Sequence, residues 1–166
     1  MILGMSVATF TTVHVILSLI GIASGIVVLF GMLGAKRLGG LTAIFLATTV
    51  LTSITGFLFP HDRLLPSHIV GIISLVALAL AILALYVYGL AGFWRWIYVA
   101  TAVVALYLNV FVAVVQAFQK LPAVRSLAPT QSEPPFLIAQ AVVLAIFVVL
   151  GGIALKAFRP QAGALA

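Results

Sequence analysis

The sequence predicts an all-α integral membrane protein, a single bundle of five transmembrane helices. Three observations carry that prediction. The chain is 65% hydrophobic and only 6% charged, against about 25% charged residues in soluble domains. Its apolar runs are long enough to cross a bilayer and are broken at short intervals by glycine, proline or charge. Those runs do not alternate in the period of two that a transmembrane β-barrel requires. Backbone groups in lipid must be satisfied within the segment, so helices are the natural answer.

The first helix is expected at about residues 6–32, a run without formal charge. A basic, glycine-rich turn follows, Gly34-Ala35-Lys36-Arg37-Leu38-Gly39-Gly40. The second helix runs over about 41–59 and stops at Pro60. A tight turn, His61-Asp62-Arg63-Leu64-Leu65-Pro66, leads into the third helix at about 67–88. Pro66 suits a helix start, where a missing N–H costs nothing. Gly89-Leu90-Ala91-Gly92 ends it. The fourth helix covers about 94–118, and a polar loop with Pro122, Pro129, Pro134 and Pro135 follows. The fifth helix covers about 136–155. The whole of 1–166 reads as one transmembrane domain, without an internal repeat.

Charge placement sets the expected orientation. One face receives Lys36, Arg37, Arg95, Lys156 and Arg159. The other receives Arg63, Lys120 and Arg125 with both acids, Asp62 and Glu133. Lys and Arg favour the cytoplasmic side, so the N-terminus is expected outside and the C-terminus in the cytoplasm. Tyr86, Tyr88, Phe93, Trp94, Trp96 and Tyr98 are expected to form an aromatic belt at the inner interface. The N-terminal run is too long, and lacks the preceding basic residues, for a cleaved signal peptide. The compact, sparsely charged style points to a bacterial cytoplasmic membrane.

Composition also excludes chemistry. Without cysteine there are no disulfides, thiolates or cysteine-held clusters. Eight scattered Lys and Arg make no nucleic-acid footprint. The expected surroundings are the lipid bilayer and either a homo-oligomer or a larger membrane complex. No intramembrane acid is available for proton pumping, and no G-x-S-x-G elbow for acyl transfer. The reading therefore leans away from an enzyme.

Polar residues mark the candidate site. Thr11, His14, Ser18, Gly21 and Gly25 recur at helical spacing on one stripe of the first helix. The two glycines form a G-x-x-x-G packing seam. His14 lies roughly 12 Å inside the outer end at 1.5 Å per residue. The second helix adds a hydroxyl-rich face that includes Thr52, and His68 opens the third. Asn109 and Gln116 follow on the fourth helix and Gln140 on the fifth. Apart from Asn109, these side chains cluster in the outer half, while the inner half is Val, Leu, Ile and Ala. Channels and transporters need polar groups through the full thickness, which ranks a small oligomeric transporter low. A pocket open to one side needs them on that side only.

The expectation is a pocket for a small lipophilic molecule or redox cofactor, bound by His14, His68, Thr11, Ser18, Thr52, Gln116, Gln140 and Asn109. Haem between His14 and His68 is one version. A divalent metal is another, since His61, Asp62 and His68 give H-D-x5-H and His14 supplies a further nitrogen. The competing expectation is a non-catalytic structural or accessory subunit of a membrane complex.

Overall fold

The computed structural model describes residues 1–60 and 66–159. Among them are five helices long and apolar enough to cross a membrane, as expected of a polytopic membrane protein. The elements are α1 (Val7–Leu33), α2 (Gly39–Gly56), α3 (Pro66–Ile82), α4 (Trp94–Lys120), a short α5 (Pro122–Arg125) and α6 (Pro134–Ala157). One π-turn, Leu83–Val87, prolongs α3.

The helix ends follow from local chemistry. Ser6 caps α1, its hydroxyl oxygen accepting from the Thr9 amide at 3.1 Å. At the other end of α1 the chain makes a Schellman turn. The Lys36 amide donates to the Gly31 carbonyl at 2.8 Å and the Ala35 amide to that of Met32 at 3.1 Å. The left-handed position is Ala35, at φ 55°, rather than the neighbouring Gly34, at φ −87°. Proline opens α3, α5 and α6, where no amide donor is lost. The loop expected between the fourth and fifth spans contains α5, and it folds back on α4 through the Gln131 side chain, whose Nε2 donates to the Val115 carbonyl at 3.0 Å.

Helices α1, α2, α3 and α4 form a ring in which each packs on the next and α4 returns to α1. Across the ring, α1 and α3 make no backbone contact among the described residues. Helix α6 lies outside the ring, against α4 and α1. The expected bundle of five is thus a ring of four with one flanking helix. Aromatic contacts hold α6 to α4: Tyr107 meets Phe147 at 5.8 Å and Phe118 meets Phe136 at 5.3 Å between ring centroids. Arg95 reaches across to the C-terminal end of α6, donating to the carbonyls of Leu155 and Phe158. These are carbonyls that a helix end leaves without an intrahelical partner.

The ring is filled at one end only. Val28, Leu29, Met32, Phe45, Leu46, Leu78, Leu85, Val99 and Leu106 make the core near the α1–α2 turn. Small side chains let the helices approach there, with Ala81, Ala84 and Ala105 fully buried. Tyr98 belongs to this core rather than to an interfacial belt; it is buried against Phe158. Of the expected aromatic group, Tyr88 and Trp94 pair, stacked at 3.7 Å, and Trp96 carries the Arg95 guanidinium 4.7 Å from its ring.

Candidate functional site

At the opposite end, near the connection between α2 and α3, the ring encloses a cavity of about 760 Å³. All four ring helices line it, and α6 contributes nothing. From the wall formed by α1 and α2 come Thr11, His14, Ser18, Thr49, Thr52 and Ser53. From the other wall come Ser67, His68, Ser74, Asn109, Gln116 and Lys120. Apolar side chains such as Val15, Leu19, Leu108 and Val112 complete the lining.

The local sequence explains why these residues converge. Thr11, His14 and Ser18 share one stripe of α1 through their spacing of three and four. Thr49, Thr52, Ser53 and Gly56 do the same on α2. In an apolar interior a hydroxyl must find a partner. Most find one on their own helix: Thr11 donates to the Val7 carbonyl at 2.8 Å, Thr49 to that of Phe45 at 2.7 Å and Thr52 to that of Thr48 at 2.8 Å.

Among the described residues, polar side chains around the cavity pair from one helix to the next. The Nδ1 of His14 lies 2.8 Å from the hydroxyl of Thr55. The Ser18 hydroxyl donates to Oδ1 of Asn109 at 2.8 Å, joining α1 to α4. The Ser53 hydroxyl donates to that of Ser74 at 3.2 Å, joining α2 to α3. Asn109 is 7% exposed and His68 4% exposed.

The segment after α2 places one aromatic ring on each histidine. Phe57 stacks on His68 with centroids 5.4 Å apart. Phe59 meets His14 edge-on at 5.2 Å and Phe10 at 5.1 Å. Phe57 fits because residue 71 is glycine: a Cβ there would lie 3.0 Å from its ring. No spacing argument singled out these phenylalanines, although their position beside Pro60 was visible.

The cavity brings together Thr11, His14, Ser18, Thr52, His68, Asn109 and Gln116. It does not include Gln140. That side chain faces the seam between α6 and α4, where Nε2 donates to the Phe111 carbonyl at 3.2 Å and Oε1 is buried without a hydrogen-bond partner among the described residues. Of the metal candidates, His61 and Asp62 lie outside the described residues. Among the described residues no three His, Cys, Asp or Glu side chains converge. His14 and His68 place ring nitrogens on one cavity from helices α1 and α3, whose backbones make no contact among the described residues.

Gly21 and Gly25 are seam residues. A Cβ at Gly21 would lie 2.9 Å from the Thr49 hydroxyl and 3.2 Å from Nδ2 of Asn109; at Gly25 it would lie 2.6 Å from Cδ1 of Leu106. The glycines let α1 approach α2 and α4 directly beneath the cavity. No protein-family model matches the chain, and comparison with curated proteins and with solved structures returns no significant match.

Proposed function

We propose that the protein holds a small lipophilic molecule in the cavity at the α2–α3 end of the ring. The observation that carries this reading is the asymmetry of the interior. One end is packed with apolar side chains; the other is hollow, with polar groups from four helices set among apolar walls. Small-molecule sites have this character, mostly apolar with a few placed polar groups, and occupy volumes of about 300–1,000 Å³. The polar end of the ligand would meet His14, Ser18, Asn109 and His68, and its tail the side chains of Leu19, Leu108 and Val112.

The membrane setting is part of the proposal. Lys36, Arg37, Arg95, Lys156 and Arg159 gather at the packed end, which favours a cytoplasmic location for that end. The cavity then opens towards the outer leaflet, in the reading of a bacterial cytoplasmic membrane. A haem held between His14 and His68 is the redox version.

The test is to purify the full chain in mild detergent, extract it with organic solvent and identify retained small molecules by mass spectrometry. An absorption spectrum of the same sample decides on haem. We expect a lipophile at near-stoichiometric amount that is lost from an Asn109→Leu/Ser18→Ala variant that still folds. A cavity that retains nothing, and takes up no added lipophile, overturns the reading.

A second reading has its own support. Helix α6 buries only Gly151 and Ala154, so most of its surface is left to lipid or to a neighbouring subunit. An accessory subunit would be recognised by cross-linking from Val142 or Val149 on α6 to a second polypeptide in intact membranes. Cross-links to lipid alone count against it.

A further inference from the structure

We infer that the cavity selects a ligand with a neutral hydroxyl or similar hydrogen-bond donor, received by Nε2 of His14. The inference rests on the cavity being a lipophile site and specifies what that site reads.

The argument starts from a single proton. A threonine hydroxyl has one proton and two lone pairs. That of Thr55 is directed to its own helix, with the Leu51 carbonyl at 2.7 Å and the Thr52 carbonyl at 3.1 Å. Towards His14, 2.8 Å away, Thr55 is therefore an acceptor. His14 must supply the proton, so Nδ1 carries N–H. In a neutral imidazole the other nitrogen, Nε2, is then an acceptor. Among the described residues Nε2 has no hydrogen-bond partner, and His14 lines the cavity.

The neighbouring hydroxyls on the same wall are committed in the same way. Thr11, Thr49 and Thr52 spend their protons on carbonyls of their own helices, and Ser18 on Asn109. What this wall offers a ligand is lone pairs. Donors lie across the cavity and at its exposed end, on Ser74, Gln116 and Lys120. A hydroxyl-headed lipophile matches both sides, since its proton goes to His14 while its oxygen accepts from the facing wall. A ketone or ether of the same shape leaves the His14 lone pair without a partner. Unpaired polar groups in a closed site are the basis of strong discrimination between such analogues. Thr55 is a positioning residue here: it sets the tautomer and need not touch the ligand.

Two measurements on the full chain in detergent test this. The first compares 4-dodecylphenol with 4-dodecylanisole, which differ in hydroxyl against methoxy, by native mass spectrometry of the titrated protein. The phenol is expected to bind about tenfold more tightly, with the preference falling to near unity in His14→Phe while anisole binding persists. Equal affinities for the two probes overturn the donor selection and leave the cavity reading standing. Binding of neither probe overturns the cavity reading itself. The second measurement needs no variant: 15N NMR of histidine-labelled wild-type protein should show His14 protonated at Nδ1 and bare at Nε2. The reverse tautomer overturns the inference, as does a haem band or a stoichiometric metal that depends on His14.

Discussion

Ser18 and Asn109, near the middle of α1 and α4, are joined by a 2.8 Å hydrogen bond that forms the polar floor of the cavity. Beneath it the ring interior is closed by a predominantly apolar core. Asn109 also directs Nδ2 to the Ser18 carbonyl at 3.5 Å, so one side chain addresses both the hydroxyl and the backbone of its partner.

Asn109→Leu is expected to lower stability by about 1 kcal/mol, the usual scale for an interhelical polar contact in lipid. The cost arises mainly because the Ser18 hydroxyl loses its acceptor. Unfolding in mixed micelles measures it. The double variant with Ser18→Ala should cost little more than Asn109→Leu alone; full additivity would mean that the pair is not coupled.

Gly25→Ala should be the more damaging change. Its new Cβ would stand 2.6 Å from Cδ1 of Leu106 and 2.8 Å from the Phe45 ring, both almost wholly buried. Overpacking of this kind costs about 1–3 kcal/mol. Thermal unfolding of the detergent-solubilised protein reads it, and an unchanged midpoint would mean that α1 is not pressed against this seam.

Gln140→Leu tests the seam between α4 and α6. It removes one hydrogen bond, to the Phe111 carbonyl, and with it a buried carbonyl oxygen that has no partner among the described residues. Leaving such a group unsatisfied costs about 1–3 kcal/mol, so the substitution is expected to be neutral or stabilising. Binding of 4-dodecylphenol should not change, because Gln140 lies outside the cavity. A clear loss of stability would reveal a partner for Oε1.

Ala35→Gly should stabilise the turn that ends α1. A non-glycine residue in the left-handed region costs roughly 1–2 kcal/mol, and part of that is returned as glycine's greater freedom in the unfolded chain. The expected gain is up to about 1 kcal/mol, read as a higher unfolding midpoint. Gly34→Ala should not show the same gain, since φ there is −87°.

The five spans were legible because length and charge are one-dimensional properties. Pro66 and the Gly89–Gly92 break are visible as letters and fall at helix ends, whereas α2 ends at Gly56, before the expected stop at Pro60. The stripe of Thr11, His14 and Ser18 was legible because helical spacing alone places those residues together. The position of α6 was not. In lipid both the packed and the exposed faces of a helix are apolar, so nothing along Phe136–Leu155 marks which side meets α4. Gln140 looked like a cavity residue for that reason, its depth being readable and its azimuth not. Tyr98 misled in the opposite sense: an amphipathic ring near a helix end fits an interface equally well, and only its burial against Phe158 assigns it inside. The π-turn at Leu83–Val87 and the direction of the Thr55 proton depend on backbone register and on pairs distant in sequence.

The flanking position of α6 governs how the cavity can communicate. Because the ring closes without it, a protein docked on the outer surface of α6 has no direct view of the cavity. A signal between the two would pass through α1 or α4, by contacts such as Gly151 against Val103, Tyr107 with Phe147 and Gln140 with the Phe111 carbonyl. Occupancy of the cavity would then be broadcast as a change in the tilt of two helices rather than as a newly exposed side chain.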